Sequence, residues 1–155
     1  RSPHDHNRDY GDGSIFPEVD AIEKLADDKN IRFLLDLHCP TLRMKDHQIM
    51  YFVGTRQMPA NNEANVKAFA AHIKPELPSN SPVGPAVWLK TREAQQRGSN
   101  CNRYFSYRKG TIMACTLEIP YAPPGKTMDA AQGRKIGAAM LRAWSKTKFL
   151  PSETN

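Results

Sequence analysis

Residues 5–8 bring together three polar side-chain types, two of which, the amide and the guanidinium, can bind an anion. Asp5, Asn7 and Arg8 supply a carboxylate, an amide and a guanidinium within four positions. The planar fork of a guanidinium binds both oxygens of a carboxylate, and a neighbouring amide adds a further donor. The same composition is typical of a surface turn, with Arg8 as a surface charge. Taken alone, this segment favours the turn.

A second group of polar side chains ends an apolar run. Asp36-Leu37-His38 follows the apolar residues 31–35. A histidine at the end of a buried strand can be a metal ligand, a general base or a core residue with satisfied hydrogen bonds. Asp36 lies two positions earlier, so it shares the strand face of His38 and can orient neighbouring groups.

A carboxylate lies near the end of another apolar run. Glu118 follows Thr116 and Leu117 in residues 111–119. Burying a carboxylate there is costly unless it is paired, neutral or open to a cleft, so a structural and a catalytic role are about equally compatible with the pattern. The aromatic and basic residues 102–107 come directly before this run and can form a wall of the same cleft.

Alternating helices and strands must position these side chains. Apolar residues at helical spacing predict a helix from Pro17 to residues 28–30, and further helices over residues 62–73 and 128–144. Apolar runs predict strands over residues 31–37, 48–54, 86–89 and 111–119. The four prolines between residues 75 and 85 predict an irregular stretch. The pattern is typical of an α/β fold, and it predicts a parallel or mixed sheet in which the strand 31–37 is buried on both faces.

The composition is that of an ordinary soluble globular protein. The chain has 155 residues, of which 39% are hydrophobic and 25% are charged, enough for one core. No apolar run approaches the ~20 residues of a membrane-spanning helix, so no membrane partner is predicted. The cellular compartment stays open. Cys39, Cys101 and Cys115 lack metal-ligand spacing and are interpreted as small buried side chains, with a single Cys101–Cys115 disulfide as the alternative.

A net charge of +6 raises the question of nucleic acid. Tyrosine, phenylalanine and basic residues alternate around residues 103–109, and such a surface can follow phosphates and stack bases. A solvated basic face, or an anion-binding wall of an active site, is the favoured interpretation, because no Arg/Gly repeat or nucleic-acid-binding motif accompanies the cluster. Nucleic acid is therefore only a minor alternative partner. The basic and aromatic residues are Arg92, Arg97, Arg103, Tyr104, Phe105, Tyr107, Arg108 and Lys109.

In combination, these segments resemble the zinc metallocarboxypeptidase family. Asp-x-Asn-Arg comes first, then a strand that ends in Asp-Leu-His, then Ser-Tyr-x-x-Gly leading into a strand with Thr-x-Glu. The resemblance extends from Asp5 to the last predicted helix and depends on the order of four short motifs. It implies the C-terminal half of a carboxypeptidase-like catalytic domain, a mixed β-sheet flanked by helices, with residues 1–155 as a single partial domain.

The resemblance implies a role for each motif. His38 would be a zinc ligand, and Glu118 would take a proton from the zinc-activated water and pass it to the leaving amine. Asn7 and Arg8 would bind the terminal carboxylate of the substrate, and Asp5 would support another zinc-binding histidine. The implied activity is hydrolysis of the last peptide bond at the C-terminus of a peptide or protein.

The family's other zinc ligands are not among these residues. They form a His-x-x-Glu motif upstream of Asp-x-Asn-Arg, and only four residues precede Asp5 here. The resemblance therefore implies a missing N-terminal half of the domain as a partner. A carboxypeptidase-like protein that binds without catalysis is the main alternative. About one tightly bound zinc in the intact protein is expected of the enzyme, and none of the binding module.

Matching without gaps predicts a substrate preference. Arg103 lies four residues before Tyr107, at the position that forms the base of the side-chain pocket in the family; both are assigned to substrate binding. A cation there would favour an acidic terminal residue such as glutamate. Arg103→Asp is then expected to shift the preference toward lysine or arginine, measured as the ratio of kcat/KM for peptides that end in either type. An unchanged ratio would contradict this assignment.

Overall fold

The computed structural model describes residues 4–40, 49–54, 58–79, 84–90, 100–120 and 128–153. Within these ranges a 3-10 turn, His6–Arg8, comes first, and four helices and four strands follow. In chain order these are α1 Pro17–Asp28, β1 Phe33–His38, β2 Ile49–Gly54, α2 Ala60–Glu76, β3 Gly84–Lys90, α3 Cys101–Tyr107, β4 Met113–Glu118 and α4 Ala130–Lys146.

The four strands form one mixed sheet in the order β1-β4-β2-β3. β4 runs parallel to β1 and antiparallel to β2, and β2 runs parallel to β3. The α/β class and the mixed sheet predicted from the sequence are thereby confirmed. β4 is the last of the described strands along the chain, yet it lies between β1 and β2, so its partners come from distant segments.

The two faces of the sheet have different characters because successive side chains of a strand alternate. Phe33 and Leu35 of β1 lie on one face, where α2 and α4 cover a large apolar core. Leu34 and Ala114 lie on the other face, in a smaller cluster with residues of α1 and α3. The larger cluster contains Met50, Phe52, Val66, Phe69, Ala70, Ile73, Met113, Cys115, Leu117, Ile136 and Ala143.

The helices agree with the sequence prediction in place but not always in length. α1 begins at Pro17, as expected of a proline at the first helical position. α2 continues through Pro75 to Glu76, because a proline in the last turn interrupts only the end of the hydrogen-bond ladder. The irregular stretch predicted between residues 75 and 85 is therefore wrong at its beginning, and it is also wrong at its end, because β3 begins at Gly84 and contains Pro85. No helix of the described ranges is long and apolar enough to cross a membrane.

α3 is a helix that the sequence prediction missed. The Asn100 side chain accepts a hydrogen bond of 2.7 Å from the Arg103 amide, which caps the first turn. Asn102 and Ser106 are buried, and the Asn102 amide donates to the Val53 carbonyl at 2.9 Å. Polar side chains of α3 thus attach the helix to the sheet, which an apolar pattern alone does not reveal.

β1 does not have the burial that its apolar sequence predicts. Among the described strands it pairs only with β4, at one edge of the sheet, and Leu37 is 59% exposed. The prediction that β1 is buried on both faces is therefore wrong. β4 is the fully covered strand, with every residue from Met113 to Leu117 buried.

The alternative of a Cys101–Cys115 disulfide is also wrong. Both cysteines are buried and free, and Cys39 is free and exposed. Cys115 belongs to the core under α2 and α4, whereas Cys101 belongs to the cluster on the opposite face of the sheet. The sheet therefore separates the two thiols.

Two asparagine side chains of α2 form hydrogen bonds with backbone amides and carbonyls in and next to β4. Asn62 Oδ1 accepts from the Ala114 amide at 2.8 Å, and its Nδ2 donates to the Ala114 carbonyl at 3.1 Å. Asn65 joins the Ile112 carbonyl to the amide and carbonyl of Leu150. Both side chains are buried. A side-chain amide carries one donor group and one acceptor, so it satisfies both groups of a peptide unit as a neighbouring strand would.

Asn62→Leu keeps the side-chain volume but leaves the Ala114 amide and carbonyl without these bonds. We expect it to lower the free energy of unfolding by about 2–4 kcal/mol, measured by urea denaturation. Asn61→Leu is the matched control, because the Asn61 amide donates to an exposed carbonyl, that of Pro151. Equal losses for the two variants would contradict the role given to Asn62.

Candidate functional site

The polar side chains of β1 and β4 lie side by side on the face of the sheet opposite α2 and α4. Asp36 pairs with Thr116, and His38 pairs with Glu118, in the parallel register of the two strands. Tyr51 of β2 is opposite Glu118 on its other side. The structure thus brings the proposed metal ligand and the proposed general base, 80 positions apart in the chain, to adjacent strand ends.

Asn7 connects the N-terminal segment to this part of the sheet. Its Nδ2 lies 2.7 Å from His38 Nε2 and 3.4 Å from Asp36 Oδ2. Its Oδ1 accepts a hydrogen bond of 2.9 Å from the Cys101 amide at the first residue of α3. Because the Cys101 amide is a donor, the oxygen of Asn7 must face it, and the NH2 group must face His38 and Asp36.

Asp36 Oδ2 is the acceptor at the centre of the cluster. Thr116 Oγ1 donates to it at 3.1 Å, and His38 Nε2 lies 3.0 Å from it. The hydrogen bond with Asp36 raises the pKa of His38 above its ordinary value, against burial, which lowers it. The Glu118 carboxylate adds to this increase, which indicates that it acts electrostatically on His38.

A cleft of about 450 Å³ opens over this cluster. Asp5 lines it together with Asn7 and His38, and Asp5 Oδ1 is buried with no hydrogen-bond partner among the described residues. Glu118 is half-buried beside the cleft rather than among its lining residues. The lining residues are Asp5, His6, Asn7, Tyr10, Asp36, His38 and Cys101.

Asp9 organises the N-terminal segment internally. Its buried carboxylate accepts hydrogen bonds from the side chains of His4 and Ser14, both at 2.6 Å, and from the backbone amides of Ile15 and Phe16. Burial would raise the pKa of Asp9, but these hydrogen bonds outweigh burial and hold the pKa well below its usual range. The ionised carboxylate is therefore the form that organises the segment.

Three other residues assigned from the sequence lie outside the cleft lining. Arg8 is half-buried, and its Nη1 donates to the Asn7 carbonyl at 3.2 Å. Arg103 and Tyr107 are on α3 with exposed side chains. Asp5, Asn7, Asp36 and His38 are thus assembled with Glu118 beside them, whereas Arg8, Arg103 and Tyr107 are not among the described residues that line this cleft.

Cys101 and Tyr10 line the cleft but were not identified from the sequence. Burial raises the pKa of the Cys101 thiol to about 12, and the thiol is hydrogen-bonded to Tyr10. Burial and a raised pKa are the opposite of what activates a nucleophilic cysteine. No local pattern connects these two residues with residues 36–38, since Cys101 reaches the cleft from α3 and Tyr10 from the N-terminal segment.

Parts of the basic and aromatic cluster are committed to the fold. The Arg108 guanidinium binds Asp27 and donates to the carbonyls of Ala26 and Ile31, at the end of α1. Phe105 is buried, so its ring does not stack on a base. Arg92 and Arg97 lie outside the described residues. Of the described residues that were expected to bind nucleic acid, Arg108 and Phe105 are therefore engaged within the fold instead.

His38 is the strongest single candidate for a metal ligand. No group of three or more His, Cys, Asp or Glu side chains in the described ranges is arranged to hold a metal ion. His38 and Asp36 form a histidine–carboxylate pair, the arrangement in which a carboxylate orients a metal-binding imidazole.

Comparisons with known proteins identify no relative. No protein-family model matches the chain, and no curated protein matches it. What can be inferred about function therefore comes from the side chains and their geometry.

Asp9→Asn should loosen the N-terminal segment at neutral pH. A carboxyl whose folded-state pKa is lowered contributes stability above its unfolded pKa of about 3.9, and loses it as pH falls through the folded-state value. The difference in urea midpoint between wild type and Asp9→Asn should therefore be largest near neutrality and shrink below about pH 4. Asp12→Asn, at an exposed position of the same segment, is the control. A difference that stays constant with pH would contradict the role of the ionised carboxylate.

Proposed function

We propose that this chain is the C-terminal half of a zinc metallocarboxypeptidase catalytic domain, which hydrolyses the C-terminal peptide bond of peptide or protein substrates. The observation that carries the proposal is the pairing of His38 with Glu118 on adjacent strands, with Asn7 and Asp5 lining the same cleft as His38. Three segments distant in the chain supply these groups. Their chemistry matches the roles that the motifs imply.

The donor set fits zinc in part. With the Nε2 hydrogen directed at Asp36 Oδ2, 3.0 Å away, His38 keeps a lone pair on Nδ1 for a cation. The buried Asp5 Oδ1 has no partner among the described residues, which suits a carboxylate that accepts from a histidine outside them. A catalytic zinc takes three protein ligands and a water, so the proposal requires further ligands from an N-terminal half of the domain.

Zinc, when bound, polarises the scissile carbonyl and makes its water more acidic. Glu118 supplies the base: a carboxylate at the strand end takes a proton from water and returns it to the leaving amine. The Glu118 carboxylate contributes to the raised pKa of His38, after Asp36, and to the raised pKa of the Tyr51 hydroxyl, after burial.

Asn7 and Arg8 form the proposed site for the substrate's terminal carboxylate. The Asn7 amide is already in the cleft, and the positive charge of Arg8 is close enough to oppose in part the increase in the His38 pKa that Asp36 causes. A carboxylate bound there would draw the Arg8 guanidinium from the Asn7 carbonyl toward the cleft. The preference for an acidic terminal residue remains a prediction that depends on Arg103.

The rival function is a carboxypeptidase-like module that binds without catalysis. The contact between Asn7 Nδ2 and His38 Nε2 favours this rival, because a histidine that accepts from Asn7 carries its hydrogen on Nδ1 and is closed to a cation there. Zinc content of the full-length protein separates the two functions.

The test uses the full-length protein that contains this chain. We expect about one zinc per molecule and release of single residues from peptide C-termini. Glu118→Gln should keep the zinc and lower kcat by about 10²–10⁴-fold, whereas His38→Ala should lower zinc occupancy.

Glu63→Gln is the matched control, because Glu63 lies on α2 and pairs with Lys67. It should leave both zinc content and kcat at wild-type values. Full activity in Glu118→Gln, or an active zinc-free protein, would exclude the proposed mechanism. A zinc-free, inactive protein that still binds peptide C-termini would establish the rival.

A further inference from the structure

β1 ends the described part of the sheet with a row of backbone groups that no described strand meets. The carbonyls of Arg32 and His38 accept hydrogen bonds from amides at the two ends of β4, so these residues turn their backbone groups toward β4. The amide and carbonyl of one residue point to the same side of a strand, and successive residues alternate. The backbone groups of Phe33, Leu35 and Leu37 therefore point to the side on which no described strand lies.

This edge lacks the proline, lysine or bulge by which natural proteins protect an exposed strand. At the opposite edge of the described sheet, β3 contains Pro85, and its pairing with β2 shifts register between Ile49 and Tyr51. β1 instead pairs with β4 without a break from its first residue to its last, and its sequence is Phe-Leu-Leu-Asp-Leu-His. The carboxylate of this run, Asp36, is bound by Thr116. β1 thus has the sequence of a strand with neighbours on both sides.

Apolar surface flanks the same edge on both faces of the sheet. On the core face, a cavity of about 440 Å³ opens between β1 and α4, lined by apolar residues, and one of them, Leu141, is 74% exposed. On the other face, Ala26 of α1 packs in a cluster with Leu34, whereas Ile22 and Leu25 of the same helix are exposed. The sheet and both of its covering layers therefore end at β1 with apolar atoms exposed.

We propose that this edge is the surface on which the N-terminal half of the domain docks, with one of its strands hydrogen-bonded to β1 and apolar residues packed against α1 and α4. The inference rests on the proposed function, which requires that half. An extended peptide alone would satisfy the backbone groups of β1 but leave the apolar side chains on both faces exposed. A folded segment that contains a strand and covers both faces satisfies all three layers.

A second copy of this chain fits the surface less well because of its charges. Antiparallel pairing of β1 with itself would place α1 beside its own copy on one face, and α4 beside its own copy on the other. α1 contains five acidic residues and one lysine, whereas α4 contains four basic residues and no acidic one. Both contacts would therefore bring like charges together, which opposes association.

The first measurement is hydrogen exchange of single backbone amides in the full-length protein. If a strand pairs with β1, the outward amides of Phe33, Leu35 and Leu37 should exchange as slowly as those of Leu34 and Asp36, which face β4. Outward amides that exchange about 10²-fold faster or more would overturn the proposal, because they would open without any loss of the core.

Two substitutions at Leu37 separate backbone pairing from side-chain burial. Leu37→Pro and Leu37→Ala both remove the leucine side chain, but only proline removes the outward amide and clashes with a neighbouring strand. In the full-length protein we expect Leu37→Pro to melt about 5 °C or more below Leu37→Ala. Equal melting temperatures would contradict pairing at this edge, since an open edge tolerates proline.

The third measurement identifies the partner. Benzoylphenylalanine in place of Leu37 in the full-length protein should form photo-crosslinks within one molecule to residues that precede Arg1. Crosslinks only to residues 1–155, or only to a second molecule, would overturn the assignment to the N-terminal half. Zinc content and peptidase activity test the proposed function separately: an inactive, zinc-free protein that gives the expected crosslinks would refute that function and retain the docking surface.

Discussion

Parallel pairing of β1 with β4 determines where every group of the site lies. The Ile119 amide donates to the His38 carbonyl at 2.8 Å, so pairing continues to the last residues of both strands and holds His38 level with Glu118. A shift of one residue would turn Asp36 and His38 toward the apolar core, because side chains alternate along a strand. The apolar face resists that shift, since Phe33 and Leu35 would lose their places under α4 and α2. Packing of the large core thus determines the register of β1 and β4, and this register determines which polar side chains lie beside one another.

Polar contacts between distant segments account for much of the remaining organisation. The buried side chains of Asn62 and Asn65 form hydrogen bonds with backbone groups of β4 and of the residue before it, which a neighbouring strand would otherwise form. Asn102 donates in the same way to the Val53 carbonyl of β2. An unsatisfied buried amide or carbonyl costs about 1–3 kcal/mol, so these bonds constrain the fold as firmly as apolar packing does. They also hold α3 in the place from which the Cys101 amide orients Asn7.

Much of the fold can be predicted from the sequence, because apolar periodicity is local. It identifies α1, α2, α4 and the strands, and alternation within β4 places Thr116 on the face of Glu118. The strand order cannot be predicted in that way, since nothing local puts β4 between β1 and β2. The same limit explains the error over β1, whose apolar sequence resembles that of a central strand. Cys101 and Tyr10 escape prediction because they reach the cleft through tertiary contacts, and α3 because its cap was not recognised.

The two walls of the cleft are built in different ways. One wall is the β-sheet, which packs on the large apolar core, so this wall separates only when the core unfolds. The other wall, residues 4–16, is organised internally by hydrogen bonds to Asp9, and it is joined to the rest of the fold by the Asn7 side chain and by the ring of Tyr10, which packs on α3. Segments with few buried apolar contacts open at a small fraction of the global unfolding free energy. Backbone amides of this wall should therefore exchange with solvent faster than those of β4, and any molecule that binds only the closed cleft has its apparent affinity reduced by the fraction of open molecules.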